Sequence, residues 1–182
     1  MGLLSALNSL VTDLLEWLEH YPADDVDPAA VAAIRHSVVW VVQQLPAEQR
    51  HRLKTVGAVG AGQPVSAAGN VDRALLRVVA GLVVDVMWWL DTCSDDEVDP
   101  DVAVKLQESA VAAIDGLPHE SRNRLLEVVG ELATVERHAA RRYELLAFPF
   151  AVGLAEDEPD LDAPSSREWV HPAARPSPHE SS

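Results

Sequence analysis

Apolar residues recur along this chain at three- and four-residue spacing, the period of a helix that buries one face. Over residues 2–20 the stripe is Leu3, Leu7, Leu10, Leu14 and Leu18, and Pro22 discourages continuation. A second stripe, Ile34, Val38, Val41, Val42 and Leu45, follows Asp27-Pro28. There the carboxylate can cap free N–H groups while proline takes the first helical position, where no N–H is needed. Leu45-Pro46 interrupts this helix and opens a third, PAEQRHRLKTV, which runs into GAVGAGQPVSAAGN, a linker. The strongest stripe is central, over residues 71–91: Leu75, Val79, Leu82, Val86 and Leu90, widened by Leu76, Val83 and Met87.

That central helix begins a second pass through the same pattern. At an offset of 72 residues, Leu3, Leu4, Leu10, Val11, Asp13, Trp17 and Leu18 meet Leu75, Leu76, Leu82, Val83, Asp85, Trp89 and Leu90 without a gap. Val98-Asp99-Pro100 repeats Val26-Asp27-Pro28, and Leu117-Pro118 repeats Leu45-Pro46. Over residues 3–56, 20 of 54 positions are identical, which predicts an internal duplication. Two tandem three-helix copies are expected to close into one pseudo-symmetric bundle. Copy one covers about residues 2–57, the linker about 58–70 and copy two about 71–154.

Beyond Val56 the passes diverge. Leu125, Val128, Leu132, Val135, Ala139, Tyr143 and Leu146 continue one stripe, which predicts a single long helix from about His119 to Leu146. Pro149 is expected to end it, with Phe148 and Phe150 folding back onto the core. The expected fold class is therefore all-α, about six helices in a domain over residues 1–154. From residue 155 the chain is acidic and then rich in Pro, Ser and His, so residues 155–182 are expected to form a disordered tail.

Charge narrows the function. The formal net charge is −15, with 22 acidic against 12 basic residues in 1–154 and seven against two in the tail. Such an excess repels nucleic-acid phosphates and suits a basic protein partner. Cys93 is the single cysteine, so no intrachain disulfide can form and a reducing compartment fits. Without a basic signal-peptide start, and with Ala6 where a myristoylation signal has Ser or Thr, a cytoplasmic protein is expected. The most apolar run, residues 74–90, contains Arg77 and Asp85 and falls short of the about 20 residues of a membrane span. Two lysines against many Arg, Ala and Val match the usage of GC-rich bacterial genomes.

Candidate chemistry is sparse. Asp91, Asp95, Asp96, Glu97, Asp99 and Asp101 crowd together, but a calcium loop counted from Asp95 would need Gly and Glu where Pro100 and Leu106 stand. Helix capping accounts for Asp99 and Asp101. The histidines include no HExxH, and the one ExxH, Glu48 to His51, becomes Glu120 and Asn123 in the second pass. No catalytic, cofactor or metal set is predicted. Arg137, Arg141 and Arg142 suit a helix C-terminus. Asp13 and Asp85 sit at equivalent places in apolar helices, either outward, facing each other, or paired with arginine. Trp17 and Trp89, also equivalent, are expected in the core. Trp88 replaces Glu16 and Trp40 is replaced by Ala112, which makes Trp88 a candidate for contact between the copies or with a partner, and Trp40 a candidate contact residue.

The leading functional expectation is a non-catalytic protein-interaction module of the adaptor, inhibitor or immunity-protein kind. Its partner would meet the acidic turns, Asp24 and Asp25 in one copy and Asp95, Asp96, Glu97 and Asp101 in the other, together with Trp40 and Trp88. One alternative is a helical enzyme or small-ligand binder with a pocket between the copies near Asp13 and Asp85. Another is a structural protein that forms homodimers through Trp40 or Trp88.

Overall fold

The computed structural model describes residues 2–58 and 69–176. Residues 59–68 of the expected linker and 177–182 of the expected tail lie outside the described residues. The described chain is all-helical: α1 (Leu3–His20), α2 (Pro28–Gln43), α3 (Ala47–Ala58), α4 (Gly69–Thr92), α5 (Pro100–Asp115), α6 (His119–Val135) and α7 (Ala139–Ala151). A short 3-10 turn, Pro172–Ala174, follows in the C-terminal segment. None of the described helices is long and apolar enough to cross a membrane.

The two Asp-Pro signals start helices as their chemistry dictates. Asp27 accepts a hydrogen bond from the Ala29 N–H at 2.9 Å, and Asp99 one from the Asp101 N–H at 2.8 Å, each ahead of a proline at the first helical position. The turns that precede these caps lie against each other. The Asp27 N–H donates to the Glu97 carbonyl and the Asp99 N–H to the Asp25 carbonyl, both at 2.7 Å, around an antiparallel bridge between Val26 and Val98. These partners are offset-equivalent residues, so the contact is reciprocal. Both valines are buried, which keeps water from competing for the two bonds.

Helix α4 runs through the centre and touches all six other helices. Its apolar residues are not confined to one stripe: Val79, Ala80, Leu82, Val83, Val84, Val86, Trp88, Trp89 and Leu90 are all buried. A helix that is apolar on every side is stable only where neighbours cover every side.

Three expectations are corrected. The long last helix is two helices, making seven among the described residues, because Glu136 Oε1 accepts from the N–H groups of Arg137 and His138 and breaks the run. His138 then caps α7 by accepting from the Arg141 N–H at 3.3 Å. Pro149 lies inside α7 rather than ending it. The stop comes later, at Gly153 with φ of 71°, where the Leu154 N–H reaches the Pro149 carbonyl at 2.8 Å and the Gly153 N–H reaches Phe150 at 3.0 Å. This is the glycine-terminated helix end that satisfies the last carbonyls. Of the two phenylalanines, Phe148 is buried and Phe150 exposed.

The third correction concerns one part of the expected disordered tail, residues 167–175. Residues 167–175 lie along α2, α4 and α7, held by Arg167, Trp169, His171 and Arg175. Ion pairs and one tryptophan supply the binding energy that the segment's low apolar content lacks.

Candidate functional site

Asp85, in the middle of α4, is 2% exposed. A carboxylate so far from water persists only if it is paired and hydrogen-bonded. Arg141, in the first turn of α7, donates from Nε to Asp85 Oδ1 at 2.8 Å and from Nη2 to Oδ2 at 3.4 Å. Arg175, after the 3-10 turn, donates from Nη1 to the same two oxygens at 3.1 and 3.0 Å, and from Nε to the Val170 carbonyl at 2.8 Å. Arg141 Nη1 donates to Glu136 Oε2 at 2.5 Å. The loop that breaks the last helix therefore also supplies the second carboxylate.

Gly81, one turn before Asp85, makes the approach of Arg141 possible. A Cβ there would stand 2.9 Å from Arg141 Nη2. The cluster tunes its members in different directions. Burial pulls the Arg141 guanidinium down, but Asp85 and Glu136 outweigh it and raise its pKa. For Arg175 burial prevails over the pull of Asp85 and lowers it. Burial would raise Glu136, yet its bonds to the His138 N–H and to Arg141 hold it below the ordinary carboxylate value.

A second ionic group lies further along α4 and α7. Arg167 donates from Nε to Glu144 Oε1 at 2.9 Å, and from Nη2 to Glu144 Oε2 at 3.2 Å and Asp91 Oδ2 at 2.8 Å. Its guanidinium sits 5.2 Å from the centre of the Tyr143 ring. Burial raises the Glu144 carboxyl despite Arg167. Between the two groups stands Trp88, whose Nε1–H donates to the Arg167 carbonyl at 2.5 Å while Arg175 lies 5.3 Å over its ring. Further along the same segment, His171 meets the rings of His36, Trp40 and Trp169 at 5.6, 6.1 and 6.0 Å.

The C-terminal segment thus crosses the helices as a strap with an arginine near either end. Two cavities adjoin it. One of about 590 Å³ includes Met87, Trp88, Asp91, Val111, Glu144 and Arg167 in its wall. The other, about 520 Å³, includes Trp40, Val78, Asp85, Leu132, Arg141 and Arg175. Among the described residues no group of three or more His, Cys, Asp or Glu is arranged to hold a metal ion.

Several candidate residues stand elsewhere than expected. Trp88 is 1% exposed, so it is a core residue bonded to the strap and not a surface contact. Trp17, expected in the core with Trp89, is 43% exposed. Trp40 is half-buried beside His171. Asp13 takes a hydrogen bond from Ser9 Oγ within its own helix at 3.3 Å, whereas Asp85 reaches across to two arginines. Asp24, Asp95, Asp96 and Asp101 are exposed, while Asp25 and Glu97 are half-buried where their carbonyls join the two turns. Glu97 also accepts from the Ser94 N–H and Oγ at 2.9 and 3.1 Å. The structure brings both acidic turns to one place.

Sequence reasoning passed over Glu136, Glu144, Arg167 and Arg175. A signal was present in REWVHPAAR, where the only arginines and the only tryptophan of an otherwise acidic tail stand together. Comparisons with protein-family models, with curated proteins and with solved structures found no match to this chain.

Proposed function

We propose that this protein is a non-catalytic helical module, two tandem three-helix copies in one pseudo-symmetric bundle, that binds an arginine-bearing segment of a partner protein in the groove now filled by its own strap. The observation that carries this reading is the seating of residues 167–175, with Arg167 on Glu144 and Asp91 and Arg175 on Asp85. A groove that accepts an extended segment in cis offers the same carboxylates to a segment of similar chemistry in trans. The duplication is supported by the 20 identities at an offset of 72 and by the reciprocal bonds of Asp27 and Asp99 across the two turns. The acidic turns, with Asp24, Asp95, Asp96 and Asp101 exposed, add a field that attracts a basic partner and speeds encounter.

The test uses the full chain with Arg167→Glu and Arg175→Glu, which place like charges against Glu144, Asp91 and Asp85 and vacate the groove. Fluorescence anisotropy follows a labelled peptide of residues 165–176. It should bind the variant saturably and the wild type at least tenfold more weakly, while a peptide with both arginines changed to glutamine should not bind. A folded variant that leaves the peptide unbound overturns the reading.

A further inference from the structure

The cavity of about 590 Å³ lies over α4, between α5 and α7. Val84, Met87 and Trp88 of α4 line it, and small residues, Ala112 on one wall and Ala147 and Ala151 on the other, leave it wide. Val104 of α5 is 51% exposed, so the apolar wall continues out to the surface. The lining residues run from Val104 to Asp115 on α5 and from Glu144 to Ala151 on α7, about 17 and about 11 Å of helix. The hollow is thus about two to three helical turns long.

Charge at this hollow is one-sided after its ion pairs are counted. Asp115 is neutralised by Arg122 at 2.9 Å, while Arg167 serves both Asp91 and Glu144 and leaves one negative charge among the three. Glu108 forms no ion pair among the described residues, and Lys105 of the same helix lines a separate hollow with Trp17 and Tyr21. The chain leaves this wall at Gly153 and returns to it at Arg167. Between them Glu156, Asp157, Glu158, Asp160 and Asp162 are all exposed and form no ion pair, and residues 154–166 include no base. With both ends of that connector in the wall, its five charges stay within about 20 Å of the hollow.

We propose that this groove docks a basic amphipathic helix of a partner protein. Its apolar side chains enter against Met87, Val104 and Val111, lysines or arginines on its flanks meet Glu108 and Asp91, and the connector's field speeds encounter. The occupant is helical because the wall can do little for a bare backbone. Its uncharged polar side chains are Gln107 and the indole of Trp88, which is already bonded to Arg167, so an entering chain must satisfy its own N–H and C=O groups. Arg167 belongs to the wall, so the helix binds with the strap seated and the proposal does not rest on displacing it.

Fluorescence anisotropy on the full chain tests it with three labelled peptides of about 14 residues. One carries Leu and Lys at helical spacing, one the same residues in strict alternation, and one Leu and Glu at helical spacing. The first should saturate at about one per chain, and each of the others should bind at least about tenfold more weakly. Ala112→Trp places in the hollow the residue that the first copy has at Trp40, changes no charge, and should weaken the first peptide about tenfold or more. Glu108→Lys should weaken it about fivefold or more, whereas Glu48→Lys, the same change of charge at an exposed residue of α3, should stay within about twofold. Neither Ala112 nor Glu108 bonds the strap's arginines, so failure here is distinguishable from failure at the strap's seat. Absence of saturation up to about 1 mM, equal binding of either control peptide, or wild-type binding by both groove variants overturns the proposal.

Discussion

Helices α1 and α4 carry matching residues at an offset of 72 and live in different surroundings. Trp17 is 43% exposed where Trp89 is 3%, and Asp13 makes a local bond where Asp85 anchors two buried arginines. Position 16 is an exposed glutamate and its counterpart, Trp88, lies in the core. The difference comes from what covers them. Helix α4 is packed by α6 and α7 and crossed by the strap, and among the described residues neither α7 nor the strap has a counterpart following α3. One amphipathic pattern therefore serves for a helix with a wet face and for a helix with none, once extra elements supply the second cover.

The largest effect expected from this contrast is at Trp88. Trp88→Glu makes α4 resemble α1 and places a carboxylate beside Asp85, Asp91 and Glu144 in the core. It should cost about 4 kcal/mol or more in denaturant melts, whereas Trp17→Ala should cost less than about 1 kcal/mol. A tolerated Trp88→Glu would mean that the strap does not cover α4 in solution.

The paired aspartates come next. Asp85→Asn leaves Arg141 and Arg175 sharing too little negative charge and should destabilise by about 3 kcal/mol, while Asp13→Asn should stay within about 0.5 kcal/mol. Limited proteolysis should cut the Asp85→Asn strap and spare that of Asp13→Asn. Equal effects at the two sites would break the comparison.

The caps are where the two halves should agree. Asp27→Ala and Asp99→Ala should each cost about 1 kcal/mol, because each loses one side-chain bond at the start of an equivalent helix. A difference much larger than that between the two would show that the joined turns do not share their load.

Two glycines sharpen the account of α4. Gly130 in α6 has open space around it, so Gly130→Ala should stabilise by about 0.5–1 kcal/mol. Gly81→Ala should lose that gain, since its Cβ would press on Arg141 Nη2, which Asp85 holds in place.

The smallest effect is a pH dependence of opposite sign at two glutamates on the covered side of α4. Glu136 is held below its usual 4.5, so it stabilises the fold above that value and its contribution is lost as pH falls through the lower folded pKa. Glu144 is raised above 4.5, so its protonation on acidification favours the fold. Glu136→Gln should flatten the fall of denaturant midpoint with pH between about 3 and 5, and Glu144→Gln should steepen it.

The helix starts were legible because they depend on neighbours in the chain. Asp-Pro fixes a cap and a first turn within three residues, and structure and pattern agree at Pro28 and Pro100. The α6–α7 break was not legible, because the apolar stripe runs on through Val135 and Ala139 while the break depends on one glutamate bonding two amides. The strap escaped for a related reason. Its acidity and prolines describe its cost of ordering, and the compensating partners, Asp85, Asp91 and Glu144, lie 23 to 90 residues away in sequence.

By itself the sequence determined the helical class, the caps and the matched pattern at an offset of 72, since spacing and short-range chemistry suffice for these. The tertiary structure alone decided which of two equivalent tryptophans is buried, which of two equivalent aspartates gathers arginines, and that an acidic tail lies on an acidic chain. Burial and ion pairing are set by whichever distant elements arrive at a surface, and a local pattern does not encode what will cover it.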